Sequence, residues 1–360
     1  MRTRRQFLLQ SSAAALGLAA GASALPADER DKLPDGSAAK DMITPETQQA
    51  IDRGLAYLAQ HQQQNGAFGV HQYSGNVAIT SLAALAMMSG GHQPGRGAYG
   101  KVVTDALRYV LSTDDGRGYL VSRTSIAHGP MYGHGFGTLF LAEAQGMVHD
   151  RDLSDQLRQT LKQAIKLIVE KQNIEGGWRY TPDSPDADVS VTICQIMALR
   201  AARNAGFNVP KSTVERCTKY VKSCQNHDGG FNYQLGRGGG SQFARSAAGL
   251  VALHCAGVYK GKEVEDALKY LMQFKPGRNI FRQDMHYYYG HYYAAQAMWT
   301  AGGKYWAEWY PGIRDELLHH PSHSAQSGAW ADHRFTDEYA TAMACIILQI
   351  PNNYLPILQK

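Results

Sequence analysis

Charge is scarce in this sequence and almost evenly divided. Lys and Arg number 36 against 31 Asp and Glu, 19% of 360 residues, for a formal net charge of +5. With 44% apolar side chains, so little charge excludes an intrinsically disordered chain. A mean hydropathy of −0.36 excludes a bundle of membrane spans. Glycine (37) and proline (13) are far too few for a collagen-like chain. Cysteine is rarer still, at five, and an odd count cannot form a closed disulfide set. Cys217 and Cys224 lie seven residues apart on a helical pattern, about 10 Å between Cα atoms, too far for a bridge. Cys194, Cys255 and Cys345 also fall on apolar stripes, and no CxxC pair occurs, so five buried free thiols are expected. No nucleophile elbow, phosphate-binding glycine loop or metalloprotease helix is present. No useful length of strand alternation is present either.

The first residues read as a targeting signal. Arg4-Arg5-Gln6-Phe7-Leu8, an Ala/Leu-rich run and the small-x-small Ala22-Ser23-Ala24 predict a twin-arginine signal peptide over residues 1–24. The apolar run is too short and too rich in Ala and Gly for an anchoring span, so no integral membrane span is expected in the mature chain. Export to the periplasm or beyond follows. Removing Arg2, Arg4 and Arg5 leaves about +2, which gives no electrostatic footprint for nucleic acid. Residues 25–45 read as a polar linker, and 46–360 as one domain.

That domain carries an internal repeat. Ile51, Gly54, Leu55 and Leu58 have the i, i+3, i+4, i+7 spacing of one helix face. The spacing recurs in stripes beginning at Val103, Leu161, Val214 and Val264, and more loosely through Ile313 and Leu317. Behind each stripe a Gly or tight turn leads to an aromatic residue: Phe68, Tyr119, Trp178, Phe231, Phe281 and Trp330. A second, more apolar helix then starts near Asn76, His134, Asp188, Ser241, Asp284 and Asp337. Six two-helix units of about fifty residues predict an all-α (α/α)6 barrel, with Gly-Gly-aromatic turns between helices. The amphipathic helices belong outside and the apolar ones inside. Closing the ring removes unsatisfied end repeats and turns the inner-helix N-termini toward one mouth of an axial cavity. An open superhelix is the alternative.

These turns and paired helices resemble the toroids of the prenyltransferase and squalene–hopene cyclase superfamily, from about Ile51 to Leu355. Tyr132-Gly133-His134-Gly135, Asp188-Val189-Ser190-Val191-Thr192, Tyr287 to Tyr293, Ala301 to Trp306 and Tyr354-Leu355-Pro356 are similar to an exported bacterial branch of it. The resemblance implies that Asp186-Ala187-Asp188-Val189 stands where cyclases carry Asp-x-Asp-Asp. Asp188 then matches the proton donor, and Val189 replaces the third acid. Burial and a second carboxylate at Asp186 both favour a protonated form. Asp188 alternatively caps the helix that follows it. From the prenyltransferases the resemblance implies a zinc reading of Asp284-Met285-His286 with Asp337, but the family's cysteine is missing, so no cofactor is expected. Arg245 and Arg282 are the interior diphosphate candidates.

Tyr288, Tyr289, Tyr292 and Tyr293 form two same-face pairs. They are candidates for lining the cavity, where aromatic faces stabilise carbocations or stack on sugars. Helix packing is their other reading. His134, flanked by glycines, is a further site candidate. The candidate catalytic set is therefore Asp188, Asp186, His134 and Asp337. Three functions stay open: an enzyme acting on an isoprenoid or other lipid, a carbohydrate-active lyase or hydrolase, and a binding scaffold. If a site exists, His134, Asp186, Asp188, Asp284, His286 and Asp337 converge at one mouth.

Overall fold

The computed structural model describes residues 42–125, 129–237, 239–277 and 286–359. The proposed signal peptide, nearly all of the linker, Phe281, Arg282 and Asp284 lie outside the described residues. The chain from Met42 onward falls within one compact unit. Among the described residues there are twelve α-helices and no strand, and strand-like pairing is limited to isolated bridges such as Gln225 with Phe231.

Six amphipathic helices form the outer layer: α1 (Pro45–Gln60), α3 (Gly100–Ser112), α5 (Arg151–Glu170), α7 (Lys211–Ser223), α9 (Lys262–Met272) and α11 (Gly303–Leu318). Each buries one stripe. In α5 this is Leu153, Leu157, Thr160, Leu161, Ala164, Ile165 and Ile168. The alternating helices α2 (Val77–Ser89), α4 (Pro130–Ala144), α6 (Val189–Asn204), α8 (Phe243–Cys255), α10 (Tyr287–Ala301) and α12 (Asp337–Gln349) are buried nearly all round. Of the thirteen residues of α2 only Ala78 is not buried. Each inner helix packs on its two neighbours, and α12 packs on α2, so the inner ring closes. This is the (α/α)6 toroid, not the open superhelix.

The turns repeat in atomic detail, and their chemistry explains the sequence pattern. In five of them the backbone N–H two residues after a left-handed glycine donates to a side chain in the first turns of the next inner helix. Phe68 donates to Thr80 Oγ1 (2.9 Å), Trp178 to Thr192 Oγ1 (3.1 Å), Phe231 to Ser246 Oγ (2.9 Å) and Trp330 to Thr341 Oγ1 (3.0 Å). In the second repeat the donor is Leu120 and the acceptor is His134 Nδ1 (3.2 Å). The expected Tyr119 is thus one residue early, because glycine spacing rather than aromaticity sets the register. The glycine is required twice over. At Gly176, φ is +98°, and a Cβ would stand 2.5 Å from the Arg216 carbonyl oxygen of the next outer helix. Gly328 meets Arg53 of α1 in the same way, closing the outer layer as well.

Both ends of the described chain are tied into the fold. Thr44 caps α1, and the Met42 carbonyl accepts from Arg314 at 3.1 Å, so the last residues of the expected linker belong to the fold. The C-terminal 3-10 turn Pro356–Leu358 covers the C-terminal ends of the inner helices. There Trp299 Nε1 donates to Leu358 O (2.9 Å) and Arg200 Nη2 to Gln359 O (2.8 Å). All five cysteines are free and buried, as their apolar stripes predicted. No described helix is long and apolar enough to cross a membrane.

Candidate functional site

With one end of the ring covered, the opposite end, at the inner-helix N-termini, holds an axial cavity of about 440 Å³. All six inner helices contribute to its wall: Asn76 and Val77 precede or open α2, Gly129 and Pro130 open α4, and Ser190 lies in α6. Gln242 and Arg245 come from the start of α8, His286 precedes α10, and Tyr339 lies in α12. The wall is largely aromatic. Tyr73, Phe335, Tyr339, His286 and Tyr289 form a chain of ring contacts, with centroids 4.9 to 6.5 Å apart. Across from them stand Tyr132, Phe136, Tyr180 and Tyr233. No carboxylate lines the cavity among the described residues.

Asp188 sits immediately behind this wall, fully buried. Its Oδ1 accepts from the Val191 N–H at 2.8 Å, so it caps α6. Its Oδ2 is buried and has no hydrogen-bond partner among the described residues. Burial pushes its carboxyl up to about 7, against the opposing pull of the Val191 hydrogen bond, the Arg179 charge and the Tyr233 hydroxyl. The Tyr233 and Tyr180 hydroxyls are hydrogen-bonded to each other, and both rings face the cavity. Burial, followed by the charge of Asp188, raises the Tyr233 hydroxyl far above the usual phenol range, so it stays protonated. The result is a carboxyl that keeps its proton well above the usual carboxylate range, one tyrosine layer from the cavity.

The other candidates separate. Asp186 turns outward, where Oδ2 pairs with Arg179 and accepts from Gln234 Nε2 at 3.0 Å, so it does not join Asp188 as an acid pair. His134 does not open α4. The helix starts four residues earlier at Pro130, behind the left-handed Gly129. His134 is fully buried outside the cavity wall and fills the position that Thr or Ser occupies in four other repeats. Burial lowers its pKa to about 4, which keeps Nδ1 free to accept from Leu120. Asp337 accepts from the Asp332 N–H at 3.1 Å and stands off the cavity wall. Of the five described residues among the six expected to converge, only His286 lines the cavity directly and only Asp188 backs it. Among the described residues no group of three His, Cys, Asp or Glu side chains has a metal-binding arrangement.

Of the four tyrosines singled out, Tyr289 alone lines the cavity, its hydroxyl donating to Ser190 O at 3.0 Å. Tyr288 points to Ser322 Oγ (2.6 Å), and Tyr292 and Tyr293 are buried against Phe136 and Cys194. The sequence reading missed Tyr132, Tyr180, Tyr233 and Tyr339. Two of them carry a readable signal: Tyr180 and Tyr233 each stand two residues after a turn aromatic, as Ser122 stands two after Leu120, and all three line the cavity.

Comparison with known proteins gives concordant results. A model of the prenyltransferase alpha-alpha toroid domain matches residues 37–279. Among curated proteins none matches the sequence. Among solved structures, the GH76A alpha-1,6-mannanase from Salegentibacter sp. HEL1_6 aligns with a TM-score of 0.60 at 8% identity, over 85% of this chain and 98% of that one. The type II terpene cyclase MstE from Scytonema aligns with a TM-score of 0.57 at 15% identity, over 87% and 100%. A variant of that cyclase in complex with geranylgeranyl dihydroxybenzoate as substrate aligns with a TM-score of 0.57 at 13% identity, over 87% and 99%. At these identities the structural likeness is one of fold.

Proposed function

The chain belongs to the prenyltransferase alpha-alpha toroid family, and from that premise we propose that it binds an isoprenoid or related lipid in the axial cavity, with Asp188, one tyrosine layer behind the wall, as the source of the proton delivered to it. The observation that carries this reading is the buried Asp188 carboxyl, its Oδ2 unpartnered, behind an aromatic wall that holds no carboxylate among the described residues. A cavity of about 440 Å³ is within the range for small-molecule sites, about 300–1,000 Å³. Aromatic faces and apolar side chains suit a polyene, and they stabilise positive charge that develops on it. A carboxyl raised to about 7 is largely protonated below neutral pH and is available as a general acid. The cyclase neighbour's geranylgeranyl substrate is of the same chemical class.

The mannanase neighbour raises the carbohydrate reading. Most glycoside hydrolases use two carboxyl groups flanking the scissile bond, about 5–9.5 Å apart, and this wall presents none among its described residues. The lipid reading therefore stands first. Export through the twin-arginine route is part of the proposal and rests on Arg4-Arg5 and the apolar run behind them.

The test is proton delivery. The protein is incubated with geranylgeraniol or squalene in D2O, and products are analysed by mass spectrometry for carbon-bound deuterium. Wild type is expected to incorporate deuterium and Asp188→Asn to incorporate none while still binding. Equal incorporation by both proteins removes Asp188 from the chemistry.

A further inference from the structure

Resting on the reading of Asp188 as the proton source, we infer that Tyr180 is the residue that hands the proton to the substrate. Tyr233 carries it there from Asp188, and Asp186 holds the two tyrosines in place. Asp188 does not line the cavity, whereas Tyr180 and Tyr233 do. Its Oδ1 is committed to the Val191 N–H, which leaves the buried Oδ2 to carry the proton. Tyr233 is the phenol whose hydrogen bonding bears on that carboxyl, and its hydroxyl meets the hydroxyl of Tyr180. The three groups form one path from the buried acid to the cavity.

The surrounding contacts fix that path. The Tyr180 carbonyl accepts from the Met131 N–H and the Tyr233 carbonyl from the Val189 N–H, each at 3.0 Å. Each turn is thus pinned to the open first turn of the inner helix before it, α4 or α6. Asp186 then bridges the two turns. Its Oδ2 pairs with Arg179, next to Tyr180, and accepts from Gln234 Nε2, next to Tyr233, at 3.0 Å. Arg179 also lies over the Tyr180 ring, 5.2 Å from its centroid. An outward-turned carboxylate therefore sets the spacing of two phenols on the cavity wall.

In the step, Asp188 gives its proton to Tyr233 Oη as Tyr233 gives its own to Tyr180 Oη. Tyr180 gives its own to an alkene carbon, whose π pair forms the new C–H bond. At each phenol one O–H bond breaks and one forms, so both end neutral. Asp188 is left as a carboxylate and the substrate as a cation, and the proton that the cation later loses restores Asp188 by the reverse path. Burial holds the Tyr233 hydroxyl far above the usual phenol range, so no phenolate intervenes and the transfers are concerted.

The experiment follows deuterium incorporation into geranylgeraniol by the full chain, with binding checked by native mass spectrometry. Tyr180→Phe and Tyr233→Phe are each expected to lower the rate at saturating substrate at least about 100-fold, the scale of general acid catalysis, with binding kept. Asp186→Asn should lower kcat less and leave KM unchanged. Two readouts need no active variant. The wild-type rate in H2O–D2O mixtures should fall along a bowed curve, because several protons move together. The infrared C=O band of protonated Asp188, identified by its loss in Asp188→Asn, should shift in Tyr233→Phe. Wild-type incorporation by either Phe variant, a linear curve or an unmoved band overturns the relay and leaves Asp188 as the proton source. An Asp186→Asn variant with the wild-type kcat removes Asp186 from it. No incorporation by wild type overturns the reading of Asp188 as proton source, and this inference with it.

Discussion

Replacing Asp188 by Asn separates the two things this carboxyl does. Asn accepts from a backbone N–H as Asp does, so the cap on α6 survives. The titration does not. The Asp188 carboxyl moves from 3.8 to about 7 on folding because burial penalises its charged form. Below pH 3.8 the folded and unfolded states both hold the proton and the protein keeps its full stability. As pH rises from about 4 to about 7 the unfolded state loses its proton first, and stability falls until the folded carboxyl ionises as well. A shift of about three pKa units corresponds to about 4 kcal/mol, an order-of-magnitude figure. Urea denaturation followed by circular dichroism from pH 4 to pH 8 measures it. The wild-type and Asp188→Asn curves should diverge by about that amount, with the variant relatively more stable at pH 8. Groups that titrate in both proteins cancel in the difference. Parallel curves would show that Asp188 is ionised throughout, and the acid role would fall with that result.

Trp178 is fully packed, and its indole N–H donates to Ile168 O at 2.7 Å, so Trp178→Ala should cost about 3–5 kcal/mol in the same denaturation assay. His134→Ala leaves the Leu120 N–H without an acceptor and should cost about 1–3 kcal/mol, while His134→Thr, the side chain used at the equivalent position of three other repeats, should recover much of it. Neither His134 variant should alter ligand affinity. Burial raises every thiol, Cys224 and Cys255 to about 11 and Cys194 to about 12, so the native protein should not react with a disulfide reagent at pH 8. Denaturation should expose all five thiols at once.

The ring was legible in the sequence because its determinants are periodic. Helical stripes recur along the chain, and left-handed glycines mark five of the turns, at Gly66, Gly118, Gly176, Gly229 and Gly328. The second turn differs from the expected one because Tyr119, a partly buried aromatic beside the glycine, mimics the fully buried position that Leu120 fills. His134 misled for a related reason. Three Thr residues and one Ser accept the same hydrogen bond elsewhere, and a single His in their place stands out in the sequence although its ring accepts from Leu120 off the cavity wall. The cavity wall was the least legible part. Whether a tyrosine faces the axis depends on where its helix begins, and α10 starts so that Tyr289 faces inward while Tyr288 points to Ser322. Tyr180 and Tyr233 lie in turns, where no helical period applies, and only alignment of the repeats with each other brings them out.

The central claim is that the cavity at the inner-helix N-termini takes an apolar isoprenoid. Native mass spectrometry of the protein with geranylgeraniol tests it on wild type, on Ala78→Trp, which places an indole into the cavity wall, and on Ile174→Trp at a site 95% exposed. The account predicts a one-to-one complex for wild type and Ile174→Trp and none for Ala78→Trp. A complex that persists in Ala78→Trp, or none with wild type, contradicts it.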